Sequence, residues 1–256
     1  MREGEVIKRT ETPATVESLT GDLRTLGIKP GTVLLVHSSL SAIGWVSGGV
    51  VAVIHALEAA VGKSGTLVMP THSSDLSEPS NWEAPPVPEP WWETIRETMP
   101  AYDSALTPTR GMGKIPECFR KQKGVLRSSH PHTSFSACGP SARSVVNSHE
   151  LAFELGESSP LARIYDLDGR ILLLGVGHGN NTSLHLSEYR ASFPGKKVIR
   201  AGAPMMVDGV RRWETFEDFE TEDLLVLGFS DTFTRKGLLL IVGVKYGTKR
   251  GLLRQR

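Results

Sequence analysis

A histidine and a glutamate three positions apart, His185 and Glu188, stand in the segment Asn180-Asn181-Thr182-Ser183-Leu184-His185-Leu186-Ser187-Glu188-Tyr189. A neutral imidazole accepts a proton near pH 7, and a carboxylate beside it orients the ring and stabilises the imidazolium. Residues three apart share one helical face. The pair therefore suits general-base catalysis, with His185 as the base. Glu188 has a second use, since a carboxylate that faces a substrate binds a cation, and both uses stay open. A histidine at a helix start also caps or packs in many proteins, so location must decide. Here the pair follows an apolar run over residues 170–177 and a Gly/Asn turn. Strand, turn and helix start is where α/β proteins place chemistry.

A second stretch runs Val36-His37-Ser38-Ser39-Leu40-Ser41-Ala42-Ile43-Gly44-Trp45-Val46-Ser47-Gly48-Gly49. Its small residues let a ligand approach backbone amides, and its hydroxyls supplement them. It is neither a P-loop nor a dinucleotide fingerprint, since the required Gly-Lys-Ser/Thr and Gly-x-Gly-x-x-Gly patterns are absent. A third, Thr107-Pro108-Thr109-Arg110-Gly111-Met112-Gly113, offers hydroxyls and a cation ahead of a helix, which suits phosphate or a polar chain. His130-Pro131-His132 could ligate a metal, but no third ligand sits at a telling spacing, and no metal is expected. A metal-dependent hydrolase using His130, His132 and His185 is the competing enzyme class. His37, His55, His72, His149 and His178 read as structural or solvated, and Cys118 and Cys138 as inert thiols without a disulfide framework.

The elements that must position these groups alternate. Val16, Leu19, Leu23 and Leu26 keep helical spacing up to Gly27, and residues 32–37 read as a buried strand. A helix over 49–61 and a strand over 65–70 complete a βαβ-like unit, which argues for a parallel or mixed sheet covered by helices. A long loop, 72–90, carries acids and prolines with Trp82, Trp91 and Trp92 nearby. Helices are expected over 112–121, 140–148 and 159–166, and a hairpin turning at Asp208-Gly209. One α/β domain spanning 1–256 is expected. The 22% charged residues and net charge of +1 give no nucleic-acid or membrane surface. With no apolar leader, a cytoplasmic location is expected.

The motifs at 36–44, 107–113, 127–131 (Arg127-Ser128-Ser129-His130-Pro131), 155–160 (Leu155-Gly156-Glu157-Ser158-Ser159-Pro160) and 181–189 occur in that order. Together they closely resemble the aminoglycoside 3-N-acetyltransferase family, also called the antibiotic N-acetyltransferases, over roughly residues 15–220. The resemblance implies an α/β fold unlike the GCN5-related acetyltransferases, with acetyl-coenzyme A as donor. It implies that His185 is catalytic with Glu188 behind it. It also implies that the coenzyme is bordered by Ser38, Ser39, Leu40, Ala42, Ile43, Gly44 and Val46, and by Thr107, Thr109, Arg110 and Met112.

The expected activity is acetyl transfer to an amino group of an aminoglycoside, at the 3-amino position by resemblance. The alternatives are transfer to another amine, or coenzyme A binding without antibiotic activity. Backbone amides of the 38–44 loop, or the hydroxyl of Thr182 or Ser183, are the expected oxyanion donors. A polycationic acceptor needs carboxylates, and Asp75 with Trp82 are the expected contacts alongside Glu188, because a tryptophan beside an acid stacks a sugar ring and pairs its ammonium. The acceptor is thus a small amine; neither nucleic acid nor membrane is an expected partner, and a homodimer is left open. From about residue 224 the chain diverges from the family pattern, as a truncation or altered reading frame would make it.

Overall fold

Why the chain folds into layers is visible in the alternation along its inner strands. The computed structural model describes residues 3–220 and the backbone of residues 240–242. Helices α1 (Glu3–Lys8) and α2 (Val16–Thr25) lead into β1 (Val33–Ser38), and α3 (Leu40–Ile43) and α4 (Gly49–Val61) into β2 (Thr66–Pro70). Thr15 caps α2 reciprocally with Ser18, which fixes where that helix begins. In β1, Leu34 and Val36 pack with Leu19, Leu23, Val53 and Leu57 of α2 and α4, whereas Leu35 packs on the other side. Val68 in β2 divides from Leu67 and Met69 in the same way. Successive side chains point to opposite faces of a strand, so a run that is apolar throughout is buried on both sides.

Beyond β2 come α5 (Trp92–Thr98), α6 (Lys114–Phe119), β3 (Leu126–Arg127), β4 (Phe135–Cys138), α7 (Ala142–Val146), α8 (Pro160–Asp166) and β5 (Arg170–Leu174). The chain continues through α9 (His185–Arg190), β6 (Val198–Val207), β7 (Val210–Phe219) and β8 (Leu240–Val242). The six-stranded sheet has the order β3-β4-β2-β1-β5-β8. Strands β2, β1, β5 and β8 run parallel to one another, and β4 runs antiparallel to both of its neighbours, β2 and β3. Helices α2, α4 and α6 cover one face; α7, α8 and Leu186 of α9 cover the other. The expected mixed α/β sheet under helices is what forms. Strands β6 and β7 make a separate two-stranded sheet, joined through Asp208 and Gly209 with φ of 50° and 76°, the left-handed pair that a tight hairpin turn requires.

Several boundaries differ from the sequence reading for local reasons. The run at 170–177 stops being a strand at Leu174, because Gly175 takes φ of 74°. A β-carbon there would lie 2.7 Å from that of Ala42, so only glycine lets this strand end pass α3. The helix expected over 112–121 begins at Lys114, after Gly111 and Gly113 with φ of 70° and 84°. The helix expected over 140–148 spans only Ala142–Val146, and Ser148 has φ of 58°. The loop at 72–90 is folded: three 3-10 turns run through it, Arg96 grips both carboxylate oxygens of Glu78 with its Nε at 3.1 Å, and Trp82 donates to Ser77 at 2.9 Å. The divergence expected from about residue 224 lies outside the described residues. Among the described residues no helix is long and apolar enough to cross a membrane.

Candidate active site

The carboxyl ends of three neighbouring parallel strands each deliver an imidazole to one edge of the sheet. His37 is the penultimate residue of β1, His72 follows β2, and His185 follows β5 after two 3-10 turns, His178–Asn180 and Thr182–Leu184. Open α/β sheets bind ligands at this edge. The Asn181 side chain shapes the last turn by accepting from the N–H and hydroxyl of Ser183, at 3.3 and 2.5 Å. That turn aims His185 as the first residue of α9.

Glu188 accepts from His185 Nδ1 at 2.6 Å, which leaves Nε2 with its lone pair bare. The imidazole is about a quarter exposed and the carboxylate is buried, so the open end of the pair is the ring. Its neighbours stay uncharged. Burial, and then the field of His185, lower His37 to about 3; burial and three other imidazoles, with Arg127, lower His72 to about 3. His185 is thus flanked by two rings that do not compete for its proton near neutrality.

An open groove of about 810 Å³ lies beside this edge, within the range of small-molecule sites. Ser38, Ser39, Leu40, Gly44, Trp45 and Val46 form one wall, and residues 111–115 the other. Gly175, Val176, Gly177 and Asn180 close one end, and Glu3 and Val6 of α1 form a lip. The groove and His185 share this strand edge: His185 lies within electrostatic reach of His37, and the next residue, Ser38, lines the groove. A proton acceptor near a groove lined by small residues and backbone suits the deprotonation of a nucleophile that attacks a group held there.

A family model described as aminoglycoside 3-N-acetyltransferase matches residues 35–250. The chain belongs to that family. It is an acyltransferase. The crystal structure of YokD from Bacillus subtilis is 47% identical, with a TM-score of 0.86 covering 90% of this chain and 85% of that one. Aminoglycoside N(3)-acetyltransferase VIII of Streptomyces fradiae is 41% identical over 222 residues, 86% of this chain and 77% of its own. The structure of AAC-IIIb in binary complex with CoASH superimposes with a TM-score of 0.74 at 31% identity, covering 88% and 86% of the two chains.

Within this acyltransferase fold the expected residues divide. Ser38, Ser39, Leu40, Gly44, Val46 and Met112 line the groove. Ile43 is fully buried in the core, and Ala42 packs against Gly175, so neither side chain is on the groove. Thr109 spends its N–H and hydroxyl on Glu117, each at 2.9 Å, and the Thr107 hydroxyl accepts from Asp103 N–H at 3.0 Å. Arg110 forms an ion pair with Asp75, both half exposed, and its N–H donates to the His72 carbonyl at 2.9 Å. The expected donor and acceptor contacts thus meet each other. The Trp82 indole is tied to Ser77 within the folded 72–90 segment. Ser183, named as an oxyanion donor, gives its hydroxyl hydrogen to Asn181.

His130 and His132 lie in a buried network. His130 Nδ1 accepts from the N–H groups of His132 and Thr133 at 3.1 Å, and Nε2 donates to the Leu151 carbonyl at 3.2 Å. His132 points one nitrogen at Glu154 (3.1 Å) and the other at the Gly202 carbonyl (3.2 Å). Neither ring keeps a lone pair for a metal. Sequence reasoning passed over the groove contributions of Lys114, α1 and residues 175–177. The one signal for them was the density of glycine at 111–113 and 175–179.

Proposed function

We propose that the protein transfers the acetyl group of acetyl-coenzyme A to an amino group of an aminoglycoside, at the 3-amino position, with His185 as general base. What carries the reading is the hydrogen bond of 2.6 Å between His185 and Glu188 at the strand edge that the groove shares. It is supported by the membership of the family, and by a related structure with CoASH bound.

In this reading the pantetheine arm lies along Ser38, Ser39, Leu40 and Gly44, with Met112 opposite. The acceptor amine is largely protonated at neutral pH and must lose a proton to attack. His185 Nε2 takes it while Glu188 holds Nδ1 and balances the imidazolium. The nitrogen bonds to the thioester carbon, and the carbonyl electron pair moves onto oxygen. Collapse then breaks the carbon–sulfur bond, the leaving thiolate takes the proton from His185, and the excess proton left on the new amide nitrogen passes to the freed ring and on to solvent. Asp75 and Trp82 remain the proposed acceptor contacts, and Glu188, proposed from the sequence as a third, is buried behind the ring and reaches the acceptor through His185. Release of free thiol from acetyl-coenzyme A against aminoglycosides and simpler amines tests the activity and identifies the acceptor. His185→Ala is expected to abolish thiol release while coenzyme A still binds in calorimetry; turnover retained by that variant removes His185 from the mechanism.

A further inference from the structure

Helix α9 carries both members of the dyad but spans only six residues, far short of the roughly 12–15 that an isolated helix needs to persist in water. Its last carbonyls have no partner within the helix. Lys196 meets them from the following loop: Nζ donates to the carbonyls of Glu188 at 3.0 Å, Tyr189 at 2.8 Å and Ala191 at 2.9 Å. These contacts match the three donors of an ammonium. The same atom lies 3.8 Å from the centre of the Phe219 ring, which β7 supplies, and 5.8 Å from that of Phe193. A cation is also the charge that a helix C-terminus attracts.

We propose that Lys196 is a positioning residue for the His185–Glu188 pair, pinning the carboxyl end of α9 and setting a positive charge at Glu188's own peptide. The proposal rests on His185 being the base. Fixed backbone at Glu188 keeps its carboxylate on the imidazole, so losing Lys196 lowers kcat more than KM. The other charged groups around α9 are already engaged. Arg190 is paired with Glu157, Tyr189 donates to Asp218, and Asp218 faces Glu154. These pairs, and the neutral His37 and His72, stay in place in a Lys196 variant.

The test is the hydrogen bond between the His185 ring and Glu188, read from the Nδ1 proton by NMR in the full chain and assigned by its absence from His185→Ala. Lys196→Met is expected to lose that protected Nδ1 signal to exchange with water, and Lys196→Arg to restore it. With acetyl-coenzyme A and an aminoglycoside, kcat of Lys196→Met is expected to fall about tenfold, with both KM values held within about twofold. An identical Nδ1 signal in wild type and Lys196→Met overturns the proposal. If Lys196→Met shows no cooperative melt, Lys196→Gln is read in the same way. If the wild type acetylates no amine, the functional reading fails, while the Nδ1 signal still decides the role of Lys196.

Discussion

The division of labour between His185 and Glu188 rests on which atoms are exposed. Because the carboxylate is buried and the ring is not, the proposed reaction has Glu188 act through His185. Glu188→Gln keeps an oxygen for Nδ1–H but removes the charge that balances the imidazolium. Its kcat is expected to fall about a hundredfold with little change in coenzyme affinity, measured by steady-state kinetics and calorimetry; a loss confined to acceptor KM would make Glu188 a substrate contact instead. This pair was legible in the sequence because i, i+3 spacing on a helix is a local geometric fact. Ile43 shows the limit. Its neighbours Leu40 and Gly44 do line the groove, but which side of a short helix faces a ligand depends on what packs behind it. His37 and His72 were read as structural or solvated, and only the meeting of three strand ends reveals that they wall the base.

At the scale of elements, α4 spans Gly49–Val61 as read, because an apolar helix bounded by glycines announces both ends. Strand β4 went unread: four residues, Phe135–Cys138, carry no periodicity, and their partner β2 is more than sixty positions away. The β6–β7 hairpin was read only around its turn, yet it is tied to the body through buried polar groups. Phe153 N–H donates to the Glu217 carbonyl, Tyr189 to Asp218 at 2.5 Å, and His132 to Gly202. Burial opposes charge on His132, but the hydrogen bond and field of Glu154 outweigh it and raise the pKa above 6.5. A raised histidine stabilises the fold fully below its unfolded value and loses that contribution as pH rises through the folded one. Hydrogen exchange in the hairpin, corrected for intrinsic rate, is therefore expected to speed up from pH 7 to pH 9 while β1 and β5 stay protected. Equal protection at both pH values would show that His132 does not hold the hairpin.

Across the whole molecule, the sheet places the groove and the dyad at one edge but on different faces. Leu40 and Val46 belong with the α2–α4 layer, and Leu186 with the α7–α8 layer. That topology was foreseeable from alternating strands and helices; the strand order was not, since it depends on long-range pairing. The same burial that builds the edge leaves an acid-sensitive interior. Burial lowers His37 and His72 to about 3 and His149 to about 4, and lowers His130 as well. For these rings the folded value lies below the unfolded 6.5, so nothing is lost above that pH and stability falls as the unfolded chain takes up protons below it. His37, His72 and His149 each cost about 2 kcal/mol between pH 7 and pH 5. Asp218, raised to about 6 by burial and then Glu154, works the other way in part. The melting temperature is expected to drop by at least about 5 °C from pH 7.5 to pH 5, read by calorimetry; a flat profile would contradict the neutrality of these histidines.

One lip of the groove is the opening helix of the chain. Glu3 accepts from the Trp45 indole at 3.4 Å, and Arg9 reaches the carbonyl of Ser41, so the opening segment is strapped across the turn that walls the groove. If the groove takes coenzyme A as proposed, an affinity handle or fusion partner attached at the amino end would hang over its doorway and is expected to slow entry without touching the acyl-transfer step.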